Sequence, residues 1–338
     1  MRRLLLHIGS HKTGTTTLQS ALIRGQRQNS LGPWSYLHAA KRVDFNTFVG
    51  MKGMGADLRP VLKWEFFDRR MSYADREGMK DAVISTEMLF WLDDLAQIEE
   101  LAVRLRQHFD QIHVVAYLRR QDQLALSHRK QVVMGRAAYQ FYGAQLRALP
   151  DWKPHMLRYF DYGEKLSKWK KVFGCKNVIL RKFQRRDLLG GDTVADFWGL
   201  LGLGEPISVK RKNEAWSRAQ LQAGLWLRQR GYPREAFVPF LLEIEDSDPL
   251  LPARVEAMEF LNHLKVENRR LADLFDPNGP DTYFDMDMSK YPEVGNWGQS
   301  PEVDLIALEA QVQVRLKSLN VGLVPLNPDD QPQARDAS

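Results

Sequence analysis

The chain has 338 residues, of which 44% are hydrophobic and 27% charged, a composition typical of a globular protein, and this excludes the disordered, collagen-like and fibrous classes. No apolar run approaches the ~20 residues that cross a bilayer, and the apolar stretch after Arg3 is too short for a secretory signal. Lys and Arg outnumber Asp and Glu by 48 to 42, so the net charge of +6 favours anionic partners. The single cysteine, Cys175, allows no internal disulfide. We therefore expect a cytoplasmic protein with a buried thiol.

Four short apolar runs, at residues 4–9, 82–86, 112–118 and 177–180, predict buried strands of a parallel sheet. Helical periodicity covers residues 14–25, 95–109, 121–134 and 162–173. Strands that alternate with helices indicate βαβ units. The predicted fold class is therefore α/β, with a doubly wound parallel sheet of the P-loop nucleotide-binding type and a helical C-terminal extension.

The C-terminal part of the chain has helical patterns but no convincing strand. From about Trp216 onward, residues 217–230, 234–245 and 253–275 are predicted helices. The final residues contain three prolines and no aromatic residue, which indicates disorder. We predict an α/β core at 1–205, a mainly helical extension of the same domain at 206–324 and a disordered tail at 325–338.

The first predicted strand runs directly into the segment GSHKTGTT at residues 9–16, which opens a helix. Two glycines five residues apart let backbone N–H groups and the helix N-terminus point at one anion, and Lys12 adds positive charge. The spacing matches the Walker loop GxxxxGK[ST], except that Thr15 stands where that motif has lysine. The next predicted strands end in Ser85-Thr86-Glu87 and Leu118-Arg119-Arg120, without an Asp to help hold magnesium, so we expect no metal.

The segment HIGSHKTGTTTLQ resembles the 5′-phosphosulfate loop of sulfotransferases, which take sulfuryl groups from 3′-phosphoadenosine 5′-phosphosulfate (PAPS). A second signature of that superfamily, a strand-end arginine with a serine eight residues later, is matched by Arg119 and Ser127, although each alone could be an ordinary surface residue. The resemblance is to bacterial members and covers about residues 1–275. It implies PAPS as the donor, bound by Ser10, Lys12, Thr13, Gly14, Thr15, Thr16, Arg119 and Ser127. Arg211 and Lys212 would then be a basic segment near the 3′-phosphate; alternatively, they are a solvated basic run.

Sulfuryl transfer needs an aligned acceptor hydroxyl, a proton acceptor, and positive charge beside the leaving phosphate. Lys12 is predicted to supply that charge. Glu87 follows a buried strand and is predicted to emerge at the same sheet edge as the loop, where it would act as general base. This role requires burial to raise its pKa; alternatively, Glu87 is a carboxylate favoured at a helix start. His11 in the loop is a rival base, as is His7, although a core position suits His7 better.

The leading hypothesis is a PAPS-dependent sulfotransferase that acts in line, without metal or nucleic acid, on a hydroxyl of a carbohydrate or glycolipid. A glycolipid acceptor would bring the chain to a membrane surface. One alternative is a magnesium-dependent nucleotide or small-molecule kinase, and another is a non-catalytic polyanion-binding module. For the acceptor pocket, the sequence offers the aromatic residues Trp34, Trp64, Phe66, Phe67 and Trp91, although most aromatic residues of a protein belong to its core.

Overall fold

The computed structural model describes residues 1–39, 44–53, 55–209, 215–280, 282–299 and 303–323. Within these ranges the strands are β1 (Arg3–His7), β2 (Trp34–Tyr36), β3 (Val49–Lys52), β4 (Arg59–Leu62), β5 (Asp81–Ser85), β6 (Gln111–Leu118) and β7 (Val178–Lys182). The α-helices are α1 (Thr15–Arg27), α2 (Trp64–Arg76), α3 (Leu95–Arg106), α4 (Gln121–Met134), α5 (Arg136–Tyr142), α6 (Leu157–Phe160), α7 (Tyr162–Phe173), α8 (Thr193–Leu201), α9 (Arg218–Gln229), α10 (Arg234–Leu241), α11 (Arg254–Asn262), α12 (Lys265–Phe275) and α13 (Leu305–Leu319). Short 3-10 helices cover Asn46–Phe48, Gly55–Asp57, Glu87–Trp91, Pro154–Met156, Cys175–Asn177, Arg185–Asp187 and Leu189–Gly191.

The central sheet has five strands in the order β2-β5-β1-β6-β7, and all its pairings are parallel. Leu5 of β1 is level with Val83 of β5 and with His113 of β6, so β1 lies in the middle of the sheet. After β1 the chain forms β2 and β5 on one side of β1, and then β6 and β7 on the other side. In open α/β sheets, ligands bind at the carboxyl end of the strands where the order reverses. The loop after β1 occupies this position.

The side chains of β1 alternate between two apolar clusters, one on each face of the sheet. Leu4 and Leu6 join the larger cluster, with residues of α2, α3, α4 and α7. Leu5 joins the smaller cluster, with residues of α1 and α8. Burial on both faces explains why these strands are continuous apolar runs in the sequence. The predicted fold class, a parallel sheet with helices on both faces and a helical extension, is confirmed.

The helical extension packs against the core through α4. The Arg228 Nε of α9 donates to the Val133 carbonyl of α4 at 2.7 Å. The Gln121 side-chain amide at the start of α4 donates to the Asn268 side-chain oxygen of α12 at 2.6 Å. Apolar residues of α9 to α13 belong to the same cluster as those of α4 and α7. The extension therefore covers the face of α4 and α7 that points away from the sheet.

The prediction of one helix at 253–275 is wrong, because α11 ends at Asn262 and α12 begins at Lys265. At this break the Leu264 side chain is fully buried, and the His263 ring stacks on Trp152 with centroids 4.9 Å apart. These are tertiary contacts, which sequence periodicity does not report.

Several further elements have no counterpart in the sequence-based prediction, among them the edge strand β2, the β3–β4 hairpin, and α2, α5, α8 and α13. Cys175 is exposed rather than buried, which corrects the expectation for its thiol. The tail predicted at 325–338 lies outside the described residues. Within the described ranges, no helix combines the length and the apolar character that a membrane span requires.

Candidate functional site

The loop between β1 and α1 turns sharply and leaves the start of α1 open. Gly9, Lys12 and Gly14 have φ angles of 82°, 61° and 80°, in the left-handed region. A Cβ at Gly9 would lie 2.8 Å from the Glu87 Cβ, so only glycine fits between this loop and the end of β5. No described side chain caps α1, and its first turn holds no acidic residue. The helix N-terminus can therefore receive an anion.

Two residues predicted to bind the donor make hydrogen bonds that shape the loop. Ser10 and Thr13 are fully buried. The Ser10 N–H donates to the Tyr117 carbonyl at 2.6 Å, and the Thr13 hydroxyl donates to the Ser10 carbonyl at 2.7 Å. These bonds hold the loop in shape. The Ser10 backbone and the Thr13 side chain therefore support the loop, and the binding role of the two residues stays a prediction.

The remaining predicted loop residues line a cavity of about 400 Å³ at the carboxyl end of β1. Its wall also includes the 3-10 helix Glu87–Trp91, parts of α4 and α5, and residues of the β3–β4 hairpin region. The Thr15 Oγ1 is buried and has no partner among the described residues, so it is a donor available to a ligand. The predicted site residues that line this cavity are His11, Lys12, Gly14, Thr15, Thr16 and Glu87.

Lys12 is one of several cationic groups close together. Burial lowers the pKa of its ammonium group, and the nearby charges of Arg119 and Lys130 lower it further. Arg119 Nη1 donates to the Lys12 carbonyl at 3.2 Å, which joins the end of β6 to the loop. Grouped cations of this kind repel each other until an anion neutralises them, so this edge of the sheet is suited to a polyanionic ligand.

Arg119 and Ser127 lie outside the cavity wall, on the side of β6 and α4. The Arg119 Nε is buried and has no partner in the described part of the chain, and its guanidinium lies 5.7 Å from the Phe183 ring. The Ser127 hydroxyl donates to the Leu124 carbonyl of its own helix at 2.9 Å. The Arg119 Nε–H is free to donate to an anion. The Ser127 hydroxyl could do so only after it gives up its hydrogen bond to the Leu124 carbonyl.

Arg211 and Lys212, the predicted basic segment, lie in the 210–214 gap, outside the described residues. Another cation, Lys290, is close enough to Arg119 and Arg120 for their charges to lower its pKa. Burial is the main cause, and the pKa falls to about 8 although Asp122 opposes the shift. The sequence alone gave no reason to connect residue 290 with the end of β6.

Glu87 follows β5 and lines the cavity beside the loop. Burial raises the pKa of its carboxyl, and Asp44 adds to the rise. Asn46 and Gln19 oppose the rise, because their side-chain amides donate to the two carboxylate oxygens at 3.2 and 3.3 Å. The direction of the shift is the one that a general base at this position requires. Asn46 was not foreseen, since it is distant in sequence and belongs to no motif, whereas Gln19 lies one turn after Thr15 on α1.

The two rival histidines lie in different environments. His7 is fully buried on the α1 and α8 face of the sheet, where its Nδ1 is 2.8 Å from the Ser85 hydroxyl. Burial lowers the pKa of His7 to about 3, and it does not line the cavity. His11 does line the cavity, and its Nδ1 is 2.6 Å from the Tyr159 hydroxyl. His7 is therefore a core residue, and of the two rival bases suggested by the sequence, His11 is the one that lines the cavity.

Part of the cavity wall is apolar and is formed by Met51, Leu58, Met88, Trp91 and Phe141. Trp91 packs against Tyr159 and Phe141, with ring centroids 4.4 and 5.3 Å away. This surface comes from the 3-10 helix after β5, from α5 and from the hairpin region, and Trp91 is its one residue that the sequence-based prediction named.

Of the five aromatic residues predicted for the acceptor pocket, only Trp91 lines the cavity. Trp34 lies on β2, and its indole N–H donates to a carbonyl of α8 at 2.9 Å. Phe67 is buried in the core, and Trp64 and Phe66 pack against the same core. These four residues therefore do not line the cavity. Trp34 is held on β2 against α8, and the connection after β2 folds into β3, β4 and α2 with the other three aromatic side chains packed on the core.

The described residues hold no group of three or more His, Cys, Asp or Glu side chains arranged to bind a metal ion. Several groups of the site suit the phosphates of PAPS. The open helix N-terminus, the unpartnered Thr15 hydroxyl, the Lys12 ammonium and the unpartnered Arg119 Nε are all donors or cations. They fit a ligand with phosphate groups.

No family model matches the chain. A curated relative, an uncharacterized protein of Archaeoglobus fulgidus, is 33% identical over 105 residues. That match covers 30% of this chain and only 25% of the relative's length. Among solved structures, a sulfotransferase from Alicyclobacillus acidocaldarius aligns over 81% of this chain and 96% of its own, with 13% identity and a TM-score of 0.39. Similarity at this level does not establish a shared activity, so the function has to be inferred from the site itself.

Proposed function

We propose that this chain is a sulfotransferase that moves a sulfuryl group from PAPS to an acceptor hydroxyl. The observation that carries the proposal is the pairing of a lysine-bearing phosphate loop with a carboxylate of raised pKa in one cavity. Gly9 keeps the two close, because its missing side chain lets the loop pack against Glu87. A site that transfers an anionic group to a hydroxyl needs these two functions side by side.

The loop would hold the phosphosulfate end of the donor. Its backbone N–H groups, the Thr15 hydroxyl and the Lys12 ammonium offer hydrogen bonds and charge, and Arg119 extends the cationic surface along β6. When bound, PAPS supplies a sulfuryl group that is activated by its phosphate leaving group. Lys12 would stabilise the negative charge that develops on that phosphate.

Glu87 would accept the proton of the acceptor hydroxyl. The new bond forms between the acceptor oxygen and sulfur, the bond from sulfur to the bridging oxygen breaks, and the hydroxyl proton moves to the Glu87 carboxylate. The hydrogen bonds from Asn46 and Gln19 fix the orientation of the carboxylate. The raised pKa makes it a stronger base than an exposed glutamate.

The apolar wall favours an acceptor hydroxyl carried on an apolar body over a free sugar. Met51, Leu58, Met88 and Phe141 offer no hydrogen bond to the hydroxyls of a carbohydrate, which would lose water without compensation. The sequence suggested a carbohydrate or a glycolipid as the acceptor. Of these two, we expect the glycolipid, because its apolar portion can contact this wall. Transfer of labelled sulfate to matched alcohols, one apolar and one a free sugar, tests this: the apolar alcohol should be the better acceptor.

The donor proposal is tested by calorimetric titration with 3′-phosphoadenosine 5′-phosphate, in parallel with ATP and magnesium. We expect binding of the bisphosphate that needs no magnesium and is lost in Lys12→Ala. The matched control is Lys171→Ala, which removes the charge of an exposed lysine and should bind as the wild type does. A preference for ATP with magnesium would support a kinase instead. Binding of neither nucleotide, with salt-sensitive binding to nucleic acid, would support a polyanion-binding module.

A further inference from the structure

The Tyr159 hydroxyl determines which ring nitrogen of His11 carries the proton. Tyr159 is fully buried, and its ring is packed against Trp91 and Phe90, with centroids 4.4 and 5.6 Å away. Its oxygen accepts a hydrogen bond from the His11 backbone N–H at 3.3 Å and lies 2.6 Å from the His11 Nδ1. The hydroxyl proton needs an acceptor of its own, because an unpaired buried donor is costly.

Among the described residues, the His11 Nδ1 is the acceptor within reach of the Tyr159 hydroxyl. If the Nδ1 carried the proton, the Tyr159 oxygen would accept two hydrogen bonds while its own proton had no partner. That arrangement is disfavoured about tenfold or more. The neutral His11 ring therefore has a bare Nδ1 and a proton on Nε2.

The charge of the His11 ring is also restricted. Burial, together with the nearby charge of Lys12, lowers the pKa of His11 to about 4. The ring is then neutral at pH 7. With Nδ1 bonded to Tyr159, Nε2 is the ring nitrogen left for a ligand in the cavity, beside Lys12 and Thr15. An Nε2 that carries a proton can donate to an anion but has no lone pair with which to accept a proton.

We propose that His11 is a neutral hydrogen-bond donor to the phosphosulfate group through its Nε2–H, that Tyr159 is the positioning residue that holds it in this form, and that His11 is not the general base. The role toward phosphosulfate rests on the proposed function, whereas the proton position does not. Of the two bases that the sequence suggested and that line this cavity, Glu87 then remains.

The proton position is measured directly by nitrogen NMR of the full chain with labelled histidines and no ligand. The His11 signals are identified by their loss in His11→Gln. We expect a protonated Nε2 and a bare, hydrogen-bonded Nδ1, unchanged between about pH 6 and 8, where a free histidine titrates. Tyr159→Phe should give a mixture of the two tautomers. The matched control is Tyr142→Phe, which removes the hydroxyl 2.7 Å from the His128 Nδ1 and should leave the His11 tautomer unchanged. A proton on the His11 Nδ1, or titration of His11 in this range, overturns the proposal.

The role is tested by sulfuryl transfer in three variants. Glutamine places an amide N–H near the Nε2 position but cannot act as a base, and asparagine places one near Nδ1. If His11 is a donor, His11→Gln should keep turnover within about tenfold of wild type, and His11→Asn and His11→Ala should each lose about 100-fold. Equal, complete loss in all three would identify His11 as a base, and wild-type activity in His11→Ala would exclude any role. If the wild type transfers nothing from PAPS, the proposed function fails, while the NMR result still decides the proton position.

Discussion

Replacing Gly9 with alanine tests the close contact between the phosphate loop and Glu87. Gly9 has a φ of 82°, and an added Cβ would lie 2.8 Å from the Cβ and 3.0 Å from the Cα of Glu87. Because the Cα belongs to the backbone, no side-chain rotation relieves the overlap. The loop and the start of the 3-10 helix Glu87–Trp91 must therefore move apart.

Two separate contributions set the expected size of the effect. The left-handed conformation costs a non-glycine residue about 1–2 kcal/mol. Overpacking of a tight contact costs about 1–3 kcal/mol. Gly9→Ala should therefore lower the free energy of unfolding by about 2–5 kcal/mol. Gly78 provides a matched control, since it has a φ of 65° and no described neighbour within 4 Å of an added Cβ. Gly78→Ala should lose only the conformational part, about 1–2 kcal/mol.

The assay is urea-induced unfolding of both variants, together with calorimetric binding of 3′-phosphoadenosine 5′-phosphate. We expect Gly9→Ala to be the less stable variant and to lose affinity for the bisphosphate, because its loop no longer holds the N–H groups in place. Gly78→Ala should bind normally. Equal destabilisation in the two variants, with binding retained in both, would refute the inference that this contact builds the site.

Three further predictions concern the charged groups of the site. Lys12→Ala should lower turnover by about 100-fold or more through lost charge stabilisation, measured by transfer of labelled sulfate; activity equal to that of Lys171→Ala would contradict this role. Glu87→Gln should lower turnover by about 100-fold or more while bisphosphate affinity is kept. Because only the ionised carboxylate accepts a proton, the wild-type rate should fall as the pH drops through the raised pKa of Glu87. If the rate of Glu87→Gln falls over the same pH range, Glu87 is not the base. Arg119→Ala should raise the KM for PAPS about tenfold or more with a smaller change in kcat, and an unchanged KM would remove Arg119 from the donor site.

The sequence was sufficient to predict the parallel sheet because its strands are buried on both faces. Continuous apolar runs such as 112–118 have no polar face, and a helix follows each of the predicted strands 4–9, 82–86 and 112–118. The edge strand β2 has three residues, of which Ser35 is only partly buried, so its signal was too short to recognise. The break between α11 and α12 depends on the burial of Leu264 and the stacking of His263 on Trp152, which are contacts between distant residues.

The sequence by itself determined the phosphate loop, because two glycines, Lys12 and the start of α1 lie within one short segment whose conformation is local. It also indicated Glu87, because a residue that follows a parallel strand emerges at the same sheet edge as the loop. Only the tertiary structure decided what these residues contact. It brought Asn46 to the Glu87 carboxylate and placed Tyr159 against His11. These partners are separated by up to 148 positions in the chain, and hydrogen bonding over such separations depends on packing rather than on local pattern.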